Sequence, residues 1–347
     1  MKEIRTLVVD DSPFARELIM DILSTDKEIR VVGEAANGLE ATQKVRDLKP
    51  DIVTIDIEMP VMNGIDAIEE IMANNAVPIL VVTTSGDAKT AYDAISHGAL
   101  DLVMKPDVSR EGAREFIDKI KLLSRIKVIT HISKRAMREA KHVKKFSFAG
   151  GEMDRTVAIA ASTGGPEALS LILSSLPAGF PCPVVIAQHI SDGFVDGMAK
   201  WLGKLSKLNV KSPADGEPLL PGTVYIAPSE KHMEITVAKT ITLAERQDKD
   251  IYHPSCDRLL FSVARVFGSR GIGVILTGMG SDGVRGMEKI KKAGGITIAQ
   301  DQKTSVVFGM PKIAIESGCI DKVLPIERIS SEIVNILSGA AEEWKRR

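Results

Sequence analysis

The sequence predicts an α/β protein with two doubly wound parallel sheets, and three observations support this fold class. The chain has 347 residues, which exceeds one ordinary domain and suits two. Short β-branched runs alternate with helical patterns in both halves, as in repeated βα units. Between the halves, residues 109–154 are rich in Lys and Arg and end in a polar, glycine-containing stretch. We therefore expect domains at residues 1–122 and 155–347, joined by a basic linker at 123–154.

The first half contains five apolar runs that predict strands, namely "TLVVD", "VVGEA", "DIVTID", "PILVVTT" and "LVMK". Segments such as "SPFARELIMDIL" and "GLEATQKVRDL" between them have helical periodicity. Ser12 and Asn37 occupy N-cap positions, and Pro13 suits the first position of a helix. Five βα repeats imply a parallel sheet with helices on both faces.

The second half repeats the βα alternation after Arg155. Its strand-like runs are "TVAIAAS", "PVVIAQHI", "GVILTG" and "GITIAQD", and its helix-like segments are "PEALSLILSSL", "SCDRLLFSVARVF" and "VRGMEKIKKAG". The middle segment, "GTVYIAPSEKHMEITVAKTITLAE", predicts short alternating strands that form an antiparallel arm. The charge of the linker suits either a solvated face, which we favour, or a strip that binds an anion or a partner.

The composition excludes several classes of protein. Hydrophobic residues make up 44% of the chain, aromatic residues only 4%, and the net charge is -1, which argues against nucleic-acid or anionic-lipid binding. No apolar stretch reaches the roughly 18–20 residues of a membrane span, and the first residues lack the apolar region of a signal peptide. Cys182, Cys256 and Cys319 lie too far apart to suggest a metal site or a disulfide framework. These features predict a cytoplasmic protein with reduced, buried thiols.

Polar side chains follow four of the predicted strands in the first half. Asp10 and Asp11 follow the first strand, Asp56 the third, Thr83 the fourth and Lys105 the fifth. Because the carboxyl ends of parallel strands share one edge of a sheet, these groups should converge there. Clustered carboxylates repel one another unless a cation intervenes, and hard oxygen ligands suit Mg²⁺. A hydroxyl and an amine beside them can hold phosphoryl oxygens.

The stretches "VVDDS", "DIEMPVMNG", "VVTT" and "MKP" resemble a two-component receiver domain over about residues 1–120. The resemblance implies a flavodoxin-like fold and phosphorylation of Asp56 by a phosphohistidine of a sensor kinase. It also implies that Thr83 and Lys105 contact the phosphoryl group. The implied Mg²⁺ ligands are Asp10, Asp11, Asp56 and the backbone carbonyl of Glu58.

A serine follows the first predicted strand of the second half, in "VAIAASTGGPEALSLIL". Gly164 and Gly165 permit a sharp turn after Ser162, and Pro166 suits the start of a helix. Three interpretations stay open from this stretch alone: the serine caps the helix, the turn cradles a phosphate, or the serine is a nucleophile. The turn is similar in mechanics to a nucleophile elbow.

A serine nucleophile needs a base and an orienting carboxylate nearby. His189 ends the next strand, "PVVIAQHI", so it should lie beside Ser162 at the same edge of the sheet. Asp282 lies in the glycine-rich turn of "GVILTGMGSDG", after another strand. His232 and His253 could line the substrate groove, but we favour the interpretation that they are satisfied loop histidines. Asp257 is interpreted as a first-turn carboxylate that complements the dipole of its own helix.

The motifs "ASTGGP", "AQHI", "DGEPLLPGTVYIAP", "KHMEI", "HPSCD", "VILTGMGSDG" and "VVFGMP" occur in an order that resembles the CheB methylesterase family, over about residues 155–337. The resemblance implies a Rossmann-like esterase domain. It also implies that Ser162 is the nucleophile, His189 the general base and acid, and Asp282 the orienting carboxylate. The backbone N–H of Met279 would then belong to the oxyanion hole.

The two resemblances together imply a phosphorylation-regulated serine hydrolase of chemotactic adaptation. Its substrates would be glutamate γ-methyl esters on methyl-accepting chemoreceptors, with release of methanol, and it would also deamidate receptor glutamines. A chemotaxis histidine kinase would be the phosphodonor, and the esterase step would need no cofactor. Two alternatives stay open: an esterase that acts on a non-chemotactic protein, and an output domain that binds nucleotide or phosphate. A DNA-binding regulator is disfavoured, because the second half lacks a helix-turn-helix with a basic recognition helix.

Overall fold

The computed structural model describes residues 3–84, 88–106, 109–126, 128, 154–247, 250 and 252–338. The chain forms two compact units, Met1–Arg135 and Ala136–Arg347. Most of the predicted linker, 123–154, lies outside the described residues, so its limits stay a prediction.

The first unit is a five-stranded parallel sheet with strand order β2-β1-β3-β4-β5. Its strands are β1 (Ile4–Val9), β2 (Ile29–Ala35), β3 (Ile52–Ile55), β4 (Ile79–Thr83) and β5 (Asp101–Met104). Its helices are α1 (Pro13–Ser24), α2 (Gly38–Leu48), α3 (Gly64–Asn74), α4 (Ala88–Ser96) and α5 (Arg110–Leu123). This strand order is that of the flavodoxin-like fold, and it confirms the predicted fold class of this half.

Local sequence signals account for the helix starts in this unit. The Ser12 side chain accepts a hydrogen bond from the N–H of Ala15 at 3.3 Å, and Pro13 occupies the first turn of α1. The Asn37 side chain accepts from the N–H of Glu40 at 2.9 Å at the start of α2. Both N-cap predictions are confirmed. Strand β3 is buried along its whole length, which explains its sequence of three aliphatic residues and one threonine.

The second unit contains a seven-stranded parallel sheet with strand order β14-β13-β12-β6-β7-β9-β8. These strands are β6 (Thr156–Ala161), β7 (Val184–Gln188), β8 (Asn209–Lys211), β9 (Thr223–Ile226), β12 (Gly271–Ile275), β13 (Ile296–Gln300) and β14 (Lys322–Leu324). The helices are α6 (Gly165–Ser175), α7 (Val195–Leu205), α8 (Cys256–Phe267), α9 (Val284–Lys292), α10 (Met310–Glu316) and α11 (Ile326–Leu337). Helix α8 packs against α9, whereas α6 packs against α7 and α11.

The antiparallel arm is smaller than the sequence predicts. Strands β10 (Lys231–Ile235) and β11 (Ile241–Glu245) form a separate two-stranded antiparallel sheet. Strand β9, which lies in the same predicted arm, instead joins the main sheet in parallel beside β7, with Val184 opposite Val224. All four residues of β9 are buried, so this strand belongs to the core and not to a half-exposed arm.

The strand order places a topological switch point in the middle of the second sheet. From β6 the chain proceeds to β7 on one side, and later to β12 and β13 on the other side. In open α/β sheets the crevice at the carboxyl ends of such strands is the usual ligand site. Cys182, Cys256 and Cys319 are buried and free, as expected. Within the described ranges, every helix is too short or too polar to cross a membrane.

Candidate active sites

The first unit gathers three carboxylates at one edge of its sheet. Asp10 follows β1 and Asp56 follows β3, and these strands are neighbours with Val9 opposite Ile55. Ligand oxygens of Asp10, Asp11 and Asp56 lie within 4.8 Å of one another. Asp10 and Asp56 are buried, whereas Asp11 is exposed. Close anionic oxygens of this kind are a donor set that a hard divalent cation such as Mg²⁺ fits.

Lys105 bridges two of these carboxylates. Its Nζ lies 2.7 Å from Asp10 Oδ2 and 2.6 Å from Asp56 Oδ2. Burial raises the pKa of Asp10 above its ordinary value. Burial alone would lower the pKa of Lys105, but hydrogen bonds to the two carboxylates outweigh it and raise that pKa. The lysine therefore stays charged and supplies one positive charge to the cluster.

The remaining predicted residues of this site lie at the same edge. Thr83 ends β4 and is fully buried, and its carbonyl accepts a hydrogen bond from the N–H of Lys105 at 2.9 Å. Glu58 lies two residues after Asp56 in the loop that follows β3, and its side chain is exposed. The site thus presents carboxylates, a hydroxyl and an amine together, which is the chemistry needed to accept and hold a phosphoryl group.

In the second unit, Ser162 directly follows β6 and its backbone is held on three sides. Its N–H donates to the carbonyl of Thr277 at 3.0 Å. Its carbonyl accepts from the N–H of Gly165 at 2.7 Å and from Gln188 Nε2 at 2.8 Å. Gln188 Nε2 also donates to the carbonyl of His189 at 2.8 Å. One buried amide therefore ties the backbone of the serine to that of the histidine.

The interpretation of Ser162 as a helix cap is wrong. The N-cap of α6 is Gly164, and no side chain caps this helix. Gly164 has φ +77°, and an added Cβ would lie 2.6 Å from Cβ of Val306. The positive φ falls on Gly164 and not on Ser162, so the turn differs from a nucleophile elbow, where the serine itself is strained. The Ser162 hydroxyl therefore does not form an N-cap hydrogen bond to helix α6.

His189 and Asp282 form a hydrogen-bonded pair. His189 directly follows β7, and its N–H donates to the carbonyl of Ala161 at 3.0 Å. Its Nε2 lies 2.9 Å from Oδ2 of Asp282, which lies in the turn between β12 and α9. The Asp282 side chain is 3% exposed and the His189 side chain 14% exposed. A histidine held in this way has a fixed tautomer and orientation.

Asp282 receives more hydrogen bonds than the one from His189. Its Oδ2 also accepts from the N–H of Cys256 at 2.6 Å, and its Oδ1 accepts from the N–H of Asp257 at 3.0 Å and from Ser255 Oγ at 3.3 Å. Burial alone would raise the pKa of Asp282, but the hydrogen bonds from His189 and from the two backbone N–H groups outweigh it and lower that pKa. The carboxylate therefore stays ionised beside the imidazole.

Ser162, His189 and Asp282 thus follow three adjacent strands, β6, β7 and β12. Among the described residues, the Ser162 hydroxyl makes no hydrogen bond to the His189 ring. Because Asp282 occupies Nε2, the ring nitrogen left for the serine is Nδ1. Catalytic hydrogen bonds are often long in enzymes without substrate, so this gap is compatible with a nucleophile and base that come together on binding.

The turn that carries Met279 lies against the serine. A Cβ on Gly278 would lie 2.6 Å from Cβ of Ser162 and 2.4 Å from Sδ of Met310. Met279 is 52% exposed, and within the described part of the chain its N–H donates to no protein acceptor. The absence of a side chain at Gly278 therefore lets the turn lie close to the serine, with the Met279 N–H on the next residue along the chain. The oxyanion hole predicted at Met279 stays a prediction.

Tyr252 is a site residue that the sequence analysis missed. Its ring stacks on that of His189, with centroids 5.1 Å apart and planes inclined by 7°. An added Cβ on Gly280, which has φ +85°, would lie 2.8 Å from the Tyr252 hydroxyl. The tyrosine therefore spans from the histidine to the turn that carries Met279. No spacing in the sequence indicates this contact.

The other residues noted in the sequence are satisfied structurally. His232 is fully buried; its Nε2 lies 2.8 Å from Asp250 Oδ2, and its Nδ1 accepts from the N–H of Ser255 at 3.0 Å. His253 Nδ1 lies 3.1 Å from a guanidinium nitrogen of Arg246. Cys256 Sγ lies 3.5 Å from His189 Nε2, but burial raises the pKa of this thiol well above its ordinary value. A protonated, buried thiol is unsuited to act as a nucleophile.

Comparisons with known proteins agree with this architecture. Residues 157–333 match the family described as CheB methylesterase, and residues 6–119 match the response regulator receiver domain. A protein of Paramagnetospirillum magneticum, named protein-glutamate methylesterase/protein-glutamine glutaminase 3, is 48% identical; the match covers 98% of this chain and 97% of that protein.

Two further relatives extend the comparison. A protein of Pyrococcus abyssi, named protein-glutamate methylesterase/protein-glutamine glutaminase, is 41% identical; the match covers 96% of this chain and 93% of that protein. The crystal structure of the CheB methylesterase catalytic domain of Thermotoga maritima has a TM-score of 0.51 and 42% identity; the match covers 52% of this chain and 98% of that domain.

Proposed function

The chain belongs to the CheB methylesterase family and carries a response regulator receiver domain, and on that premise we propose that it is a phosphorylation-regulated serine hydrolase of chemoreceptors. Its substrates are glutamate γ-methyl esters on the cytoplasmic helices of methyl-accepting chemoreceptors. It also deamidates receptor glutamines, as the names of its relatives indicate for those proteins. The protein therefore works in the cytoplasm and contributes to chemotactic adaptation.

The hydrolysis begins when Ser162 Oγ attacks the ester carbonyl carbon. Nδ1 of His189 takes the serine proton, while Asp282 holds the proton on Nε2 and stabilises the imidazolium. The carbonyl oxygen becomes an oxyanion, and the backbone N–H of Met279 donates to it. The N–H of Thr163, the residue after the nucleophile, is the natural second donor by analogy with other serine hydrolases.

The reaction then proceeds through an acyl-enzyme. His189 gives its proton to the methoxide oxygen as the carbon–oxygen bond breaks, and methanol leaves. Water, deprotonated by His189, attacks the acyl carbon. The bond between that carbon and Ser162 Oγ breaks, His189 returns its proton to Ser162 Oγ, and the glutamate side chain is released as a carboxylate. With glutamine the same steps release ammonia. Because an amide is a poorer substrate than an ester, deamidation is the slower activity.

The receiver accepts its phosphoryl group at Asp56. A carboxylate oxygen of Asp56 attacks the phosphorus of a phosphohistidine on the chemotaxis histidine kinase, the phosphorus–nitrogen bond breaks and the imidazole leaves. Asp10, Asp11, Asp56 and the Glu58 carbonyl would hold Mg²⁺, and the ion would neutralise part of the negative charge of the phosphoryl oxygens. Lys105 pairs with the same oxygens, and Thr83 donates a hydroxyl hydrogen bond.

Phosphorylation at Asp56 raises the esterase activity of the second unit. A doubly charged group at the edge of the first sheet shifts a two-state equilibrium of the receiver. As in the family, we propose that the unphosphorylated receiver restrains the esterase and that phosphorylation releases it.

The observation that carries the proposal is the His189–Asp282 pair, at 2.9 Å, beside Ser162 at the switch point of the sheet. The test is methanol release from methylated receptor membranes by the wild type, Ser162→Ala and Asp56→Asn. We expect no release by Ser162→Ala, and release without phosphodonor stimulation by Asp56→Asn. Full activity of Ser162→Ala would refute the serine mechanism. Absence of an acyl-enzyme in the wild type, with nucleotide or phosphate binding that survives in Ser162→Ala, would favour an output domain that binds nucleotide or phosphate. Inactivity of the wild type on receptors, with acylation by a simple ester, would point to a non-chemotactic target.

A further inference from the structure

Helices α8 and α9 begin side by side, and each receives a carboxylate from the other. Asp282, which precedes α9, accepts from the N–H groups of Cys256 at 2.6 Å and Asp257 at 3.0 Å, the first residues of α8. In return, Oδ1 of Asp257 accepts from the N–H groups of Gly283 at 3.0 Å and Gly286 at 2.8 Å, at the start of α9. Each carboxylate thus accepts hydrogen bonds from the N-terminus of the other helix.

Asp257 lies in the first turn of α8, as the sequence predicts. Its carboxylate additionally satisfies N–H groups at the start of the neighbouring helix, which the sequence does not indicate. The N-cap of α9 is Gly283, and no side-chain N-cap hydrogen bond is formed there. Asp257 therefore provides α9 with the hydrogen-bond acceptor that the N-cap side chain of a helix usually provides, although it belongs to another helix.

The buried hydrogen bonds of Asp257 to backbone N–H groups matter more for stability than its exposed ion pair with Arg285. Its Oδ2 lies 2.8 Å from Nε of Arg285, but that arginine side chain is 77% exposed while the Asp257 side chain is 6% exposed. An exposed ion pair contributes little, because water and salt screen it. By contrast, removing the acceptor of buried N–H groups leaves them unsatisfied, which is costly.

Close packing of the two helices makes the exchange possible. A Cβ on Gly286 would lie 2.4 Å from Cβ of Leu260 in α8. Gly283 has φ +95°, and a Cβ there would lie 3.2 Å from Cβ of Ala160 and 3.3 Å from Cβ of Cys256. The start of α9 thus packs closely against α8, and the short side chain of Asp257 can reach the N–H groups of α9.

We propose that Asp257 is a positioning residue of the active site. It holds the backbone of Gly283, the residue next to Asp282, and so fixes the Asp282 carboxylate on Nε2 of His189. It touches neither substrate nor Ser162, and it acts only through Asp282. This role rests on the proposed serine mechanism and adds to it a fourth side chain on which the base depends.

The test is a double-mutant cycle in the full-length, phosphodonor-activated protein, with methanol release from methylated receptor membranes as the readout. The variants are Asp257→Ala, Asp282→Ala and the double variant. We expect Asp257→Ala to lower kcat about 100-fold, the loss typical of a misplacement of about 1 Å, with little change in KM. The double variant should be no slower than Asp282→Ala, because Asp257 has no path to the reaction except through Asp282. Losses that multiply would overturn the proposal.

Two further variants separate positioning from charge and from folding. Asp257→Asn keeps an oxygen acceptor for the two N–H groups, so its kcat should lie within about threefold of the wild-type value. A kcat of Asp257→Asn as low as that of Asp257→Ala would overturn the proposal. Arg285→Met is the matched control and should leave kcat unchanged. If Asp257→Ala does not fold, Asp257→Ser replaces it; its shorter side chain cannot reach both N–H groups, and wild-type kcat in this variant would overturn the proposal.

The outcomes also distinguish this inference from the proposed function. If Ser162→Ala and Asp282→Ala keep wild-type kcat, the serine mechanism itself fails. If Ser162→Ala is inactive, Asp282→Ala has a strongly lowered but measurable kcat, and Asp257→Ala has wild-type kcat, only the positioning role of Asp257 fails.

Discussion

Replacing Gly278 by alanine tests how closely the turn that carries Met279 must approach the nucleophile. The added Cβ would lie 2.6 Å from Cβ of Ser162 and 2.4 Å from Sδ of Met310, which is fully buried. Carbon atoms in van der Waals contact are about 3.5–4.0 Å apart. The turn and the serine must therefore separate by about 1 Å. The φ angle of Gly278 lies outside the left-handed region, so the effect of alanine is steric and not conformational.

A displacement of about 1 Å between nucleophile and oxyanion donor should lower kcat about 100-fold. Overpacking of a filled site should also reduce the free energy of unfolding by about 1–3 kcal/mol. Both effects are measurable in one preparation, by methanol release from methylated receptor membranes and by urea unfolding. The two measurements together separate loss of catalysis from loss of folded protein.

Gly179→Ala is the matched control, because a Cβ at that position meets nothing within 4 Å. Its kcat should stay within about twofold of the wild type, and its stability should not fall. If Gly278→Ala is folded and keeps wild-type kcat, the turn does not need to contact Ser162. The assignment of the Met279 N–H to the oxyanion hole would then be refuted.

Three further predictions follow from the two sites. Asp56→Asn should abolish stimulation of methanol release by a phosphodonor, and chelation of Mg²⁺ should do the same to the wild type; stimulation that survives chelation would contradict the Mg²⁺ assignment. The pKa of Asp282 is lower in the folded protein than in the unfolded chain, so ionised Asp282 stabilises the fold. This contribution to the free energy of unfolding is complete above pH about 4, the ordinary pKa of an aspartate, and is lost as the pH falls through the lowered pKa of the folded state. The gap in urea-unfolding free energy between the wild type and Asp282→Asn should therefore narrow below pH about 4, and a constant gap would contradict this. Tyr252→Ala should lower kcat up to about tenfold, with Tyr252→Phe near wild type, because the stacked ring orients His189; equal rates in all three proteins would exclude that role.

Much of the fold could be predicted because the central strands are buried on both faces. Strands β3, β6 and β7 are almost entirely apolar for this reason, with one polar residue in each. The edge strands β8 and β14 have three residues each and are partly exposed, so they carry no such signal. The error over β9 has a different cause. This buried strand of four residues stands directly before β10 and β11 in the sequence, and its short length does not distinguish it from those two arm strands.

The site was predictable as far as it depends on strand ends. Ser162, His189 and Asp282 each follow a strand, and these three strands are neighbours in the parallel sheet. The sequence indicates each of these strands as an apolar run before the residue, so the proximity of the three residues could be predicted. The contacts of Tyr252 and Asp257 depend instead on how a loop and two helix starts pack in three dimensions. No periodicity or spacing in the sequence encodes that packing, so only coordinates reveal it.

The three proposed catalytic side chains of the second unit all emerge from the middle of its sheet. Strands β8 and β14 form the two borders of that sheet and contribute none of them. Mutations in the border segments can therefore accumulate over generations without disturbing the chemistry at the centre. Such a layout separates the borders of the sheet, which can vary, from the central strand ends, which carry the proposed chemistry.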